Sequence, residues 1–509
     1  MDRVSSRRLP WVLAGIVAGL AGLATSYACA MVLAIRDAPV VAVAELLIRH
    51  TPGPVVEEAI QLLGTADKPA LVVGIILALL GVFALAGSQA RHAWWRSLVV
   101  WFLLAGVGLS AVLLQSNVRV VDAVPVLVGL VTWVSVHAAL INPLERLGTR
   151  RDVVDRERRV FLVVAGVIAV ASTGIAVAGR FVGSGRRHVE TSRRLLRIDG
   201  VTRRPPPPAA SLGLNGISPW QTPTDEFYLI DTTIAVPTIE PEEWSLRIHG
   251  MVDREITLSY ADLVGREITE AWVTLCCVSN EVGGDLVGNA RWSGVRLADL
   301  LAEAGVRDGA DCVHQTSYDG WDCATPLAAL TDGRNAMLAV AMNGRPLPLE
   351  HGFPVRTVVP GLYGYVSATK WVVDLEVTRF DRVEAYWTSK GWGEQGPIKI
   401  SSRIDVPRAG ADVTAGEVSV GGVAWHQHTG ISGVEVSLDG GAWTPAELGR
   451  APSEDTWVQW ALTLDVPEGD HVLAVRATGR DGETQTGVRR DVLPDGATGW
   501  HSVDFSASA

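Results

Sequence analysis

Thr274-Leu275-Cys276-Cys277-Val278-Ser279-Asn280 runs from an apolar stretch into a polar loop, and Gly288-Asn289-Ala290-Arg291-Trp292-Ser293-Gly294-Val295 follows it. Apolar and β-branched residues giving way to Ser-Asn and then to glycines read as a strand that ends in a loop. Such a strand end presents the Cys277 thiol. Cys276 belongs to the opposite face, because side chains alternate along a strand, and it reads as a small buried hydrophobe. One thiolate is too few ligands for structural zinc. A metal held here must therefore bring most of its own ligands.

Two further segments carry groups suited to an anion: His351-Gly352-Phe353-Pro354-Val355-Arg356, and the stretch from Gly361 to Lys370-Trp371. Arg offers a planar fork of donors and Lys a compact charge, and both suit phosphate. A soft thiolate beside glycine-rich loops and these cations points to a soft metal accompanied by a phosphate.

Around these segments, β-rich runs are expected at Trp244–Gly250, Ala271–Cys277, Asp311–Ser317 and Pro354–Val359. Short helical patterns at Ser259–Leu263 and Leu297–Ala304 make the region from Gly213 to about Arg382 α+β. Near Ile404 the pattern changes to short strands, at Glu417–Ala424, Gly433–Asp439, Trp457–Leu464 and His471–Thr478, with Asp439-Gly440-Gly441 as a hairpin turn. This spacing predicts a small β-sandwich. The five cysteines are too few and too irregular for a disulfide scaffold. Cys312 and Cys323 flank a hairpin turn at Tyr318-Asp319-Gly320-Trp321, in a register that sets Cys312 opposite Leu327. That register permits a bridge between the two cysteines without favouring it.

Toward the N-terminus the composition changes. The 509 residues carry a formal charge of −11, and the mean hydropathy is +0.24. Up to Arg204 there are 23 basic and 13 acidic residues, and the remainder holds 21 and 42. An acidic C-terminal part argues against nucleic acid as a partner. Five apolar runs are long enough to cross a bilayer: Trp11–Ile35, Pro69–Ala86, Leu98–Leu114, Val120–Ile141 and Val160–Ala178. Arginines at Arg3, Arg7 and Arg8, at Arg91 and Arg96, and from Arg146 to Arg159 fall in alternate loops. They place the N-terminus in the cytoplasm and everything after Ala178 outside. The arginines from Arg180 to Arg197 run against this rule. Arg158-Arg159-Val160-Phe161-Leu162 resembles a twin-arginine export signal, a route that carries folded cargo. His137 is the one histidine inside a span and reads as structural, since a membrane haem needs two. Gly15 and Gly19 suit close helix packing. From Gly179 to Ala210 the chain is polar, Arg-rich and ends in Pro205-Pro206-Pro207-Pro208, which reads as a spacer.

The Cys-x-x-Asn stretch, the Asn-Ala-x-Trp-x-Gly-Val stretch and the HGFPVR segment, in this order, closely resemble the sulfite-oxidase family of molybdenum enzymes, in its bacterial membrane-anchored branch. The resemblance runs from about Gly213 to the C-terminus. It takes in Gly421-Gly422-Val423-Ala424-Trp425 and Val434 to Gly441, which look like the family's C-terminal dimerisation domain. It implies a membrane anchor over 1–180, a linker over 181–212, a molybdopterin domain over 213–403 and an immunoglobulin-like β-sandwich over 404–509. It also implies a molybdenum–molybdopterin cofactor. By this resemblance Cys277 is the molybdenum ligand, and His351, Arg356 and Lys370 hold the pterin and its phosphate. Tyr228, Asp319 and Thr369 match further cofactor contacts, and Trp292 matches an aromatic that lines the substrate pocket.

The departures bear on substrate. Glu281 and Val282 stand where the family has arginines after Cys-x-x-Asn; Leu229 stands at another arginine position; Trp392 lies near an expected tyrosine. Without cationic donors a small divalent anion binds poorly. The reading is therefore an extracytoplasmic oxygen-atom-transfer enzyme acting on a small molecule. It exchanges electrons with an external cytochrome or quinone, sits in membrane lipid and pairs as a homodimer through the sandwich. The competing readings are a reductase of S- or N-oxides and a non-catalytic surface binding protein with a degenerate cofactor fold.

Overall fold

The computed structural model describes residues 8–33, 35, 38–53, 55, 58, 67–116, 118–146, 163, 166, 185–230 and 232–509. The chain divides into two compact units, Met1–Thr191 with Thr232–Thr238, and Ser192–Asp231 with Ile239–Ala509.

The first unit is helical: α1 (Leu9–Val32), α2 (Pro39–His50), α3 (Asp67–Ala90), α4 (Trp94–Leu113) and α5 (Val124–Arg146). Among the described residues four helical segments, Leu9–Val32, Lys68–Ala90, Trp94–Leu113 and Val120–Asn142, are long and apolar enough to cross a bilayer. Apolar side chains face outward as well as inward, with Leu77, Leu103 and Val131 each more than 60% exposed. That is a poor surface for water and a good one for lipid. Gly15 of α1 lets its backbone lie against Phe83 and Gly87 of α3, where any side chain would collide. His137 is buried edge-on against Trp101, which stacks on Trp133 at 5.5 Å. The twelve-residue α2, too short to span, was not expected from the sequence. The expected fifth span Val160–Ala178 lies outside the described residues apart from Val163 and Gly166, and the Arg158-Arg159 pair lies outside them entirely.

A helix, α6 (Gly185–Leu195), lies inside the stretch read as a spacer, and the second unit begins within it, at Ser192. The rest of that stretch is also anchored. Thr202 donates from N–H and hydroxyl to Glu270, at 3.0 and 2.9 Å, and the Arg450 N–H donates to Ala209 O at 2.8 Å. The spacer reading is corrected accordingly. Its prolines cannot donate, but its carbonyls and the polar residues before them find partners on the domain behind.

Two sheets build the α+β region. The first has the order β2 (Ile256–Ser259), β1 (Ser245–Gly250), β10 (Val372–Thr378), β5 (Cys312–Ser317), β6 (Asp322–Pro326), with β1 and β10 parallel. The second runs β3 (Thr269–Cys276), β4 (Val287–Arg296), β7 (Met337–Met342), β8 (Arg345–Pro346), and β9 (Arg356–Val358) pairs with β7. In β1 Leu246 and Ile248 are buried while Ser245 and Arg247 are exposed, the alternation of a one-sided strand. β7, Met-Leu-Ala-Val-Ala-Met, is buried at every position, as a strand flanked on both sides must be. Short helices α7 (Tyr260–Val264), α8 (Leu297–Ala304) and α9 (Leu327–Thr331) connect the strands. Ser259 caps α7 by accepting from the Asp262 N–H at 3.2 Å.

The C-terminal region is β-rich. One sheet has the order β11 (Ser401–Val406), β13 (Gly416–Trp425), β17 (Val458–Val466), β16 (Glu447–Leu448). The other has β12 (Asp412–Thr414), β19 (His501–Ser508), β18 (Gly469–Gly479), β14 (Ile431–Leu438), β15 (Thr444–Pro445). Val420 and Trp460 from the first share one core with Val436, Val475 and Phe505 from the second. The expected turn is present: Asp439 and Gly440 both have positive φ, and the Gly441 N–H returns to Leu438 O at 2.9 Å.

The hairpin at Tyr318 corrects the expected register. Three residues, Tyr318 to Gly320, form the loop, so Cys312 faces Pro326 rather than Leu327, and Cys323 faces Gln315. Both thiols are free, and burial pushes each up to about 12.

On the same sheet His314 lies 3.3 Å from Asp322 and 3.9 Å from Glu376. The hydrogen bond to Asp322 raises its affinity for a proton against the opposing effect of burial. A histidine raised in the folded state stabilises fully below its ordinary value near 6.5, and the contribution is lost as pH rises through the folded value. The thermal midpoint of the wild type should therefore fall relative to His314→Gln between pH 6 and 8, by on the order of 2 °C. Parallel profiles would contradict the assignment.

Candidate cofactor and active site

β3 ends at Cys276, and Cys277 begins a loop that is closed by three hydrogen bonds. The Cys277 N–H donates to Leu286 O at 2.9 Å, and the Asn280 N–H donates to Cys277 O at 3.1 Å. Asn280 Oδ1 accepts from the Leu286 N–H at 2.8 Å. This gives the Cys-x-x-Asn spacing its physical reason: Asn280 ties the neck of the loop that presents the thiol. Cys277 is 9% exposed. The Cys276 thiol turns back to Cys277 O at 3.4 Å, and burial holds it firmly protonated.

Phe227 gathers the next group. Its ring stacks on Tyr228 at 5.2 Å and meets Trp292 and His351 edge-on, each at 5.7 Å. His351 Nε2 donates to Thr224 O at 3.2 Å. Tyr228 is half-buried as a whole, but its hydroxyl is kept neutral chiefly by burial and then by the charge of Cys277 and Cys276, with Arg356 opposing. Trp292 is fully buried, its Nε1 donating to Val273 O at 3.2 Å, and the Arg356 guanidinium lies over its ring at 5.1 Å.

Arg356 tests whether an anionic cofactor fits. It is 6% exposed. Among the described residues its acceptors are backbone carbonyls of Thr357, His351 and Ala368, at 3.3 to 3.5 Å. Burial pulls it down to about 10, partly offset by Tyr228, and among the described residues no carboxylate pairs with it. A desolvated guanidinium with long carbonyl contacts is an unbalanced charge unless an anion completes it. A pterin phosphate has the charge and the acceptor atoms to do so.

Lys370 lies close by. Its Nζ donates to Glu350 O at 3.2 Å and lies 4.9 Å from the centre of the Trp371 ring. Trp371 Nε1 donates to Leu349 O at 3.0 Å, which joins this turn to the His351 segment. Gly352, at φ +102°, makes the approach feasible: a Cβ there would fall 3.0 Å from Arg356 Cβ and 3.1 Å from Lys370 Cα. Thr369 is in the same turn, but its hydroxyl meets Cys323 Sγ at 3.3 Å and its N–H donates to Thr357 Oγ1. Asp319 sits at the β5–β6 turn, where the neighbouring Tyr318 N–H donates to Trp371 O at 2.8 Å.

The structure thus brings Tyr228, Trp292 and His351 around Phe227, with Arg356 over Trp292 and with Cys277 and Arg356 both electrostatically coupled to Tyr228. Lys370 joins through Gly352, the turn that carries Asp319 is tied to Trp371 by the Tyr318 N–H, and Thr369 faces inward. Trp292 lies beneath the Arg356 guanidinium. Sequence reasoning missed Phe227 and Thr224, which lie in irregular chain with no periodic signal.

It also missed the C-terminal contribution. Arg403 donates from Nη1 to Gly284 O at 2.8 Å, and the His501 ring lies against Gly283, both in the Cys277 loop. Burial and then Arg403 hold His501 below the ordinary histidine range, so its Nδ1 accepts the Ile404 N–H at 2.9 Å. Thr274, three residues before Cys277, is tied to the same region by its N–H to Asp455 O, its carbonyl from Gln427 Nε2, and its hydroxyl from the Trp457 N–H, at 2.8 to 2.9 Å.

A family model for the oxidoreductase molybdopterin binding domain matches residues 233–387. Mitochondrial sulfite oxidase of Homo sapiens is 30% identical over 317 residues, which cover 53% of this chain and 57% of that enzyme. The chain thus spans little more than half the length of that relative. The uncharacterized oxidoreductase YuiH of Bacillus subtilis is 32% identical over 180 residues, 35% of this chain and 87% of its own. The crystal structure of the sulfane dehydrogenase SoxCD from Paracoccus pantotrophus covers 63% of this chain and 92% of that one, with a TM-score of 0.51 at 24% identity, a likeness of fold.

Proposed function

Because the chain belongs to the sulfite-oxidase-like molybdopterin-dependent oxidoreductases, we propose that it is a membrane-anchored enzyme that exchanges an oxygen atom with a substrate larger or less charged than sulfite, outside the cytoplasm. Arg356 is the observation that carries the reading: a non-catalytic recognition module has no use for a desolvated guanidinium without a counter-ion. Bound there, the molybdenum–molybdopterin cofactor supplies two-electron oxygen-atom transfer, with Cys277 as its protein thiolate. Arg356, Lys370 and His351 hold its anionic end, with Asp319 and the Thr369 backbone beside them. The neutral Tyr228 hydroxyl, near Cys277, is placed to donate a hydrogen bond at the reacting end.

The surroundings favour a weakly charged substrate. Glu281 and Leu229, at the family's arginine positions, are both exposed. The Gly364 backbone adjoins Cys276 O and the Tyr228 hydroxyl. The next residue, Tyr365, leads into an aromatic group, with Trp392 5.9 Å from it and Trp387 6.3 Å from Trp392. Aromatic faces bind apolar sulfur compounds better than they bind a dianion. The four long apolar helices support anchoring in lipid, and the Arg158-Arg159 motif supports export of a folded domain. The two-sheet C-terminal region is read as immunoglobulin-like and as the surface of a homodimer. A cytochrome or quinone is the external electron carrier.

The test is a paired assay on purified protein of measured molybdenum content, with sulfite plus an oxidised dye in one arm and a dialkyl sulfoxide plus reduced viologen in the other. The sulfoxide arm should have the larger kcat/KM by at least about tenfold. Sulfite as the better substrate overturns the substrate assignment, and molybdenum-free protein that turns over neither overturns the enzyme.

A further inference from the structure

Beyond the cofactor site, the C-terminal region brings three ligand-type side chains together, with Asp481 Oδ1 also accepting the Glu483 N–H at 3.1 Å. His426 follows β13, and Asp481 and Glu483 lie on the turn after β18. Each brings one ligand atom to within 4.8 Å of the others. His426 is 9% exposed, and its Nδ1 is buried with no hydrogen-bond partner among the described residues. Its Nε2 is 4.0 Å from Glu483 Oε2, at the outer limit of an ion pair. Gly479 leaves a gap between two of the groups, since a Cβ there would lie 2.5 Å from Asp481 Oδ1 and 2.7 Å from His426 Nδ1. Two carboxylates drawn together repel, and a buried unpaired imidazole nitrogen is costly. One bound cation removes both penalties.

We propose that His426, Asp481 and Glu483 form a zinc-type divalent cation site, independent of the molybdenum cofactor. One imidazole and two carboxylates suit zinc, with water as the fourth ligand. Donors around zinc at about 2.0–2.2 Å sit closer together than these atoms do. Binding therefore draws the exposed carboxylates inward, and Glu483, 61% exposed, is free to move. Arg480, the cation of that turn, is held aside against Gly430. A metal on His426 clasps the β13 end to the β18 turn. It thereby steadies the adjoining Gln427 and His428, which bind Thr274 O at 2.8 Å and Asp455 at 2.7 Å. The site is a brace behind the strand that leads into the Cys277 loop.

The experiment uses the full chain with its cofactor, in detergent, freed of loosely held metal by a chelator and titrated with zinc chloride. Wild type should bind zinc with a rise in thermal midpoint, and the zinc K-edge spectrum should show nitrogen and oxygen ligands without sulfur. Asp481→Asn with Glu483→Gln changes two exposed groups and should keep the zinc-free midpoint while weakening zinc binding at least about a hundredfold. His426→Gln should lose the same binding event. Equal zinc affinity in wild type and the double variant overturns the site. So does a sulfur-ligated spectrum, or a response to calcium with none to zinc.

Discussion

Cys277→Ser is expected to cut oxygen-atom transfer by at least about 10³-fold while leaving the molybdenum content within about twofold of wild type. The two effects separate because they arise from different parts of the site. The loop that carries Cys277 is closed by its own backbone and by Asn280, and serine keeps those bonds. Under the proposed function, retention of the cofactor rests on Arg356, Lys370 and the turn around Gly352. What serine removes, under that proposal, is the soft sulfur donor to the metal. Metal analysis and steady-state turnover on the same preparations decide the matter. A serine variant within tenfold of wild type would remove Cys277 from the chemistry, and a wild type without molybdenum would remove the cofactor.

Arg356→Met should have effects of opposite sign on the two forms of the protein. Cofactor occupancy is expected to fall more than about a hundredfold, because charge-assisted hydrogen bonds to a phosphate are lost from a desolvated place. The cofactor-free protein is expected to become more stable, by about 1–3 kcal/mol, because methionine fills similar volume without a charge. Burial holds Arg356 down at about 10. Folded protein then gives up this proton before unfolded protein does. Below that pH both carry it, and the cost of the buried charge is fully present. Above it the folded form sheds the proton and the cost declines. Molybdenum content and the melting of cofactor-free samples at neutral pH supply both readings. A destabilised cofactor-free variant would show that the guanidinium is balanced by the protein itself.

Much of the α+β region was legible because its strands are long enough to show a period. The runs expected at Trp244–Gly250 and Leu297–Ala304 appear as β1 and α8 within a residue, and the Asp439-Gly440 turn is where its φ demands put it. Local segments of the site were legible for a related reason: His351 to Arg356 lie in six consecutive residues. Other features carried no local signal. The Cys312 register was off by one residue because a three-residue loop and a two-residue loop share the same Asp-Gly signature. Phe227 gathers the site through its ring faces, and nothing in irregular chain marks such a residue. Arg403 and His501 reach the Cys277 loop from far along the sequence. The spacer was misjudged from its own composition, since its partners Glu270 and Arg450 lie elsewhere.

The binding of Thr274 has a consequence for how such proteins diversify. Its carbonyl, N–H and hydroxyl are all engaged by residues of the C-terminal region, three positions from Cys277. A chimera spliced near Arg403 would set those groups against a foreign loop. Recombination among relatives is thereby restricted, and the α+β region and its β-rich companion are inherited as a matched pair.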